Sequence, residues 1–292
     1  MATALEIYED FVLSKELQGL SINTIERYKY SIERMIREVE ITNIRDITAA
    51  DIRRWLMGRG VKPVSVGIDI KNLRTFFTWV VAEGHLNESP MDKIPNPKIS
   101  QRPPKAIDDQ EIRRLIQTAK TSPRDLSVVL TLLDTGVRAS ELGALTRDDL
   151  NFDDMSLTVR FGKGGKSRVV FFSPTTARAI HRYLRTRRDT DPALFLSRRG
   201  ESLNRDSLRL LVYRLSNRAG LTNGRRVGPH CLRATFATQY CLAGGDPHSL
   251  QRMLGHSSTR MAERYVNLVG RDLAEAHRKY SPVERLERQR RG

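Results

Sequence analysis

Ser89-Pro90-Met91-Asp92-Lys93-Ile94-Pro95-Asn96-Pro97, running on to Pro103-Pro104, places five prolines in sixteen residues. Proline fixes φ and lacks a backbone N–H, so neither a helix nor a central strand is expected to pass through this segment. The reading is a semi-extended linker over 89–104, with one domain in 1–88 and a second starting at 105. A chain of 292 residues is long enough to bury a core in each.

Upstream of the prolines the pattern is helical throughout. Leu5, Tyr8, Phe11 and Val12 make one apolar stripe; Tyr28, Ile32, Met35 and Val39 make a second, behind Ser21 as N-cap. Thr48-Ala49-Ala50-Asp51 has capping-box form and opens a helix that turns Ile52, Trp55 and Leu56 inward. Val64, Ile68, Phe76, Phe77 and Val80 fit a fourth helix. The expectation is a four-helix bundle whose aromatic residues form its core.

Downstream, Asp108-Asp109-Gln110-Glu111 caps a helix carrying Ile112, Leu115 and Ile116, and Leu126 to Leu133 reads as a buried helix. Met155, Leu157, Val159 and Phe161 alternate with polar neighbours, which is strand spacing. Gly162-Lys163-Gly164-Gly165 supplies a turn and Arg168 to Phe172 the returning strand; helices resume over 175–187, 206–219, 229–242 and 247–254. The predicted fold class is mainly α: the helical bundle followed by a mostly helical domain with one small antiparallel sheet.

The chain is 39% apolar, which suits a globular protein, and its net charge of +16 with pI near 10.3 points to a polyanionic partner. Residues 1–150 hold 22 basic and 22 acidic residues, whereas 151–292 hold 28 and 12, so the whole excess lies in the second half. The densest basic clusters are Arg182 to Arg188 and the tail from Arg285 to Arg291. Two cysteines, Cys231 and Cys241, without Cys-x-x-Cys spacing, argue against a structural zinc or a disulfide framework. No signal peptide and no apolar run of spanning length is legible, so a cytoplasmic, nucleoid-associated protein is expected, with no membrane partner.

Six side chains with phosphodiester chemistry recur in order. Arg138 follows Gly136 in Thr-Gly-Val-Arg-Ala-Ser-Glu-Leu, where a sharp reversal at the glycine aims the guanidinium into a cleft and Glu141 steadies it. Lys163 sits among the turn glycines; the resemblance of that turn to a nucleotide-binding loop fails, because Arg160 stands where the first glycine belongs. His230 and Arg233 follow Pro229 at a helix start, where backbone N–H groups also favour phosphate. His256 lies in Leu-Gly-His-Ser-Ser, and Tyr265 comes nine residues later among polar neighbours. Each alone has an ordinary structural reading; only the ordered set points to chemistry. No metal-ligand spacing and no cofactor motif accompany it.

With these motifs the chain resembles the tyrosine recombinase (phage integrase, Xer-like) family over roughly residues 5–270. The resemblance implies a SAM-like N-terminal bundle that binds core DNA over 1–88 and a catalytic domain over 105–270. A tail over 271–292 would dock on a neighbouring protomer. It implies Arg138 and Arg233 as a phosphate clamp, Lys163 as general acid, His230 and His256 as supporting acid/base groups, and Tyr265 as nucleophile. Lys166, Arg168, Arg205 and Arg209 are the expected DNA contacts. Ala234 departs from the family, which commonly has a histidine after the arginine; that position supports packing.

The expected activity is cleavage and rejoining of double-stranded DNA at recombination sites through a 3′-phosphotyrosyl bond. A protomer that is a monomer in solution would close on the duplex as a C-shaped clamp and assemble as a tetrameric synapse. A type IB-like topoisomerase and a non-catalytic DNA-binding regulator of the same fold remain open at this point. Site-dependent strand exchange separates the first; the intact six-residue set weighs against the second.

Overall fold

The computed structural model describes residues 2–98, 106–160, 167–221 and 226–255. The chain folds as two compact units, 1–101 and 102–292.

In the first unit, α1 (Ala4–Leu17) begins at a Thr3–Glu6 capping box. Next, α2 (Ile22–Tyr28), a π turn (Lys29–Glu33) and α3 (Arg34–Glu38) run on as one rod, with α4 (Ala49–Gly58) and α5 (Pro63–Ala82) completing a four-helix arrangement. Thr48 and Asp51 form the expected capping box on α4. Ser21 holds the N-cap position of α2, but its hydroxyl meets Thr24 Oγ1 instead of a backbone N–H. The π turn has a partner inside the fold: Asn72 donates to the Arg27 carbonyl and to Ser31 Oγ, and Ser31 donates to Asp69. Phe11, Phe76 and Phe77 meet edge to face in the core, as expected of the aromatics.

Two details differ from the sequence reading. Val64 and Ile68 are exposed, and α5 turns Ile70, Leu73, Phe76, Phe77 and Val80 inward instead. The proline segment also does not begin as linker. Pro90–Lys93 is a 3₁₀ turn with proline at its first position, and it buries Met91 and Ile94 in the bundle core. One short turn needs no donor from its leading residues, so the proline is tolerated there. Arg53 and Arg74 fasten the turn by donating to the carbonyls of Lys93 and Ile94. Residues 99–104 of the expected linker lie outside the described residues.

In the second unit, α6 (Asp109–Ala119) starts at the Asp108–Glu111 capping box and α7 (Pro123–Thr135) at Ser122. The short α8 (Ala139–Ala144) leads to a three-stranded antiparallel sheet in the order β1 (Leu150–Asn151), β2 (Ser156–Val159), β3 (Arg168–Phe171). The register pairs Val159 with Arg168 and Leu157 with Val170. Met155 lies just before β2 with φ +49°, in the turn after β1, so the strand alternation starts one residue late. α9 (Pro174–Leu184), α10 (Arg205–Arg218), α11 (Pro229–Leu242) and α12 (Pro247–Leu254) follow. Leu132, Leu142, Leu157, Ile180, Phe195, Leu208 and Leu232 belong to one core joining sheet and helices. Among the described residues, no helix is long and apolar enough to cross a membrane.

Removing a fully buried methionine from a core leaves a cavity, typically at a cost of about 2–5 kcal/mol. Met91→Ala is therefore expected to destabilise the first unit by about 2–5 kcal/mol in urea unfolding. Pro97→Ala should leave stability within about 0.5 kcal/mol. Equal small effects would return residues 90–94 to the linker.

Candidate active site

The site is built where α7 and α12 end. Gly136 caps α7 in the left-handed region, φ +61°, and a Cβ there would lie 2.4 Å from the Phe236 ring and 2.9 Å from Leu254. Glycine is thus required twice, by conformation and by space. The reversal turns the Gly136 carbonyl toward α11, where Arg233 Nη1 donates to it at 2.6 Å. Gly255 caps α12 in the same conformation, φ +63°, where a Cβ would lie 3.2 Å from the Arg168 side chain.

Three consecutive carbonyls at this end of α12 each accept from a different arginine. Arg168 Nε donates to Met253 O at 2.7 Å, Arg233 Nη2 to Leu254 O at 2.6 Å, and Arg138 Nη2 to Gly255 O at 3.4 Å. The last carbonyls of a helix have no intrahelical donors and carry the negative end of its dipole, so cations are favoured there. Arg233 is buried, and these backbone acceptors offset part of the cost of desolvating its charge.

Glu141 ties two of the three together. Its buried carboxylate receives Arg138 Nη1 at 2.6 Å and the Arg138 backbone N–H at 2.8 Å. It also receives Arg168 Nη1 at 2.9 Å and Nη2 at 2.7 Å, a bidentate pair. Burial pushes this carboxyl up, but the bonds from Arg168 and from the Arg138 backbone outweigh it and hold the pKa down at about 2. The carboxylate that caps α8 thus also holds the Arg138 guanidinium in place.

Arg168 corrects one expectation. The resemblance implies a DNA contact there, yet its side chain is 10% exposed and its nitrogens face Glu141 and Met253 O. It braces β3 against α8 and α12. Nothing in the sequence separates it from the other basic residues after the turn, because its acceptors include a backbone carbonyl 85 residues away. Arg205 and Arg209 do stand exposed at the start of α10, Arg205 with Asp206 3.8 Å away. His230 is exposed beside Pro229 at the start of α11, and Arg209, Tyr213, Arg226 and His230 line one cleft of about 760 Å³. The structure therefore brings Arg138, Glu141, Arg168 and Arg233 together and leaves His230 on a basic cleft wall. Lys163, Lys166, His256 and Tyr265 lie outside the described residues, as does the tail 271–292.

Residues 105–270 match the Phage integrase family, and residues 7–84 match its N-terminal SAM-like domain. The chain belongs to the phage integrase (tyrosine recombinase) family. A tyrosine recombinase XerA from Pyrococcus furiosus is 34% identical over 282 residues, covering 96% of each chain. Tyrosine recombinase XerC from Actinobacillus pleuropneumoniae is 27% identical, covering 97% of this chain and 94% of its own. Among solved structures, a XerA recombinase is 26% identical with a TM-score of 0.55, covering 96% of this chain and 99% of its own. A lambda integrase dimer bound to a core DNA site has a TM-score of 0.75 at 21% identity, over 89% of this chain and 97% of that one, a likeness of fold. This chain is a tyrosine recombinase of the Xer-like kind, and the enzyme class read from its motifs holds.

Because the Glu141 pKa is lowered on folding, its bonds stabilise the protein above the unfolded carboxyl value of 4.5 and are lost as pH falls toward 2. Wild-type stability should drop by on the order of 3 kcal/mol across that window. Glu141→Gln, which cannot ionise, should be less stable at neutral pH and lack this part of the pH dependence in urea titrations. An unchanged acid limb in the variant would remove Glu141 as the anchor.

Proposed function

We propose that this recombinase cleaves and rejoins one DNA strand at a time at a specific site, with Tyr265 as nucleophile and Arg138 and Arg233 on the scissile phosphate. The observation that carries this is the convergence of both guanidinium groups on the end of α12, one residue before His256.

The scissile phosphodiester is an anion that repels nucleophiles, and negative charge builds on its non-bridging oxygens as the five-coordinate state forms. Guanidinium groups already fixed in place oppose that charge where it develops, with no reorganisation at the moment of reaction. Each guanidinium carries five N–H donors, so Arg138 keeps further donors beyond those on Glu141 and Gly255 O. The Tyr265 phenol, ordinarily near pKa 10, passes its proton to the His256 imidazole as its oxygen attacks. Its oxygen bonds to phosphorus, the 5′-oxygen departs with the phosphorus–oxygen electron pair, and Lys163 supplies the proton to that oxygen. A 3′-phosphotyrosyl bond and a free 5′-hydroxyl result. The phosphotyrosyl ester keeps the energy of the broken bond, so attack by another 5′-hydroxyl reseals the strand. His230, on the basic cleft wall with Arg209, supports the phosphate and the proton traffic. Two duplexes and four protomers complete the exchange, and the dimeric DNA complex of lambda integrase supports half of that assembly.

A nicked suicide duplex carrying the recombination site should trap a covalent adduct. Tyr265→Phe should abolish it with DNA binding retained; an adduct in that variant would sink the nucleophile assignment. Arg138→Ala and Arg233→Lys should each slow cleavage by about 10²–10³-fold. Lys163→Ala should regain cleavage on a substrate with sulfur at the 5′-bridging position, since thiolate leaves without a proton. Relaxation of supercoils without any dependence on paired sites would favour a topoisomerase.

A further inference from the structure

The dense basic run 182–188 has no part in the site described above, and the structure divides it by role. Arg187 turns inward: its guanidinium is 4% exposed and donates to Asp189 and to the carbonyls of Asp191, Ala193 and Leu194. Arg182, Arg185 and Arg188 stay exposed, and so do Arg178 and His181 one turn earlier. Arg178, His181, Arg182 and Arg185 follow helical spacing along one face of α9, while Thr176, Ala179, Ile180 and Tyr183 fill the buried face.

These cations also lack the neutralisation that exposed arginines of the first unit's α3 and α4 receive. On α3 and α4, Arg34 pairs with Glu38, Arg37 with Glu33 and Arg54 with Asp51. Along α9 no carboxylate among the described residues stands within 4.0 Å of Arg178, Arg182, Arg185 or Arg188; Arg178 reaches only the Thr175 hydroxyl. Like charges at helical spacing repel, so the row costs stability unless an anion faces it. The groove they line, of about 590 Å³, holds only Ala177 as an apolar residue. Beside the groove the part-exposed Phe152 ring stands edge-on to His181, but within it an acidic peptide would find no apolar pocket for an anchoring side chain, which protein interfaces normally need. A sugar-phosphate backbone needs none.

The position of the row adds a direction. Asp134, near the end of α7, accepts from Ser173 N and Thr176 Oγ1 at the start of α9. Packed against α7 and starting at that end, α9 leaves the neighbourhood of Gly136 and the site arginines and runs back along α7. From Arg178 to Arg185 the row spans about 10 Å, close to three phosphate steps on one strand.

We infer that the arginine row of α9 is a second, sequence-independent contact for the backbone of double-stranded DNA outside the segment held at the active site. The inference rests on the DNA-acting reading above. It assigns no role in chemistry to α9, whose row engages duplex that the cleavage site does not reach.

The test uses the full chain and its triple variant R178Q/R182Q/R185Q, all three positions being exposed. Binding is followed by fluorescence anisotropy across a salt series. The probes are a duplex of arbitrary sequence no longer than one protomer covers and a second duplex three times that length. On the long duplex the variant should bind about tenfold more weakly at low salt, and its log–log salt slope should be shallower by about 2 to 3, one unit per lost phosphate contact. On the short duplex it should match wild type, and lysine at all three positions should restore the long-duplex slope. Wild-type behaviour of the variant on both probes would overturn the inference and leave an acidic protein as the partner. Equal weakening on both probes would overturn it too, making α9 part of the core grip. Covalent trapping on the suicide duplex should be unaffected by the triple variant, so a failed result here leaves the recombinase reading standing.

Discussion

The end of α12 offers three backbone carbonyls in succession, and three arginines from three different elements close on them. Arg138 comes from the start of α8, Arg168 from β3 and Arg233 from α11. A helix end buried without donors would be unfavourable, and guanidinium groups buried without acceptors more so. Each deficit answers the other. The arrangement demands glycine at 136 and at 255, since both backbones are left-handed and Gly136 has no room for a Cβ.

Crowding three cations raises their mutual repulsion, and Glu141 relieves it. Its carboxylate faces two of them and is buried enough that its charge is little screened, which is why its pKa stays near 2 despite burial. Arg168 takes the bidentate side of that carboxylate and a carbonyl of α12. It positions Arg138 and α12 and has little exposed surface left for DNA. Arg138, at 24% side-chain exposure, keeps part of its surface toward the open side. The division of labour among these arginines follows from which acceptors surround each one.

Much of this is legible in the sequence. Capping boxes at Thr48 and Asp108 announce their helices by local chemistry, and Pro229 and Pro247 mark the first residues of α11 and α12. The link from Arg138 to Glu141 was readable because three residues on a helix start bring side chains together. What failed to show depends on tertiary partners. Val64 and Ile68 have helical spacing with the core residues of α5 but stay exposed, and it is Val66 of that turn that packs against the core. Met91 and Ile94 sit among prolines and still find the bundle core through a single 3₁₀ turn. The Met253 carbonyl carries no side-chain signature, so the brace role of Arg168 could not be told from a DNA contact.

The most direct measurement is a crystal structure of the protein trapped on its DNA site as the covalent adduct. The account predicts both non-bridging oxygens of the linking phosphate within hydrogen-bond distance of Arg138 and Arg233, with the phosphorus bonded to the Tyr265 oxygen. Arg168 should remain on Glu141 and the Met253 carbonyl, away from the phosphate. A phosphate held by Arg168, or an adduct in which Arg138 and Arg233 keep only their protein partners, would contradict it.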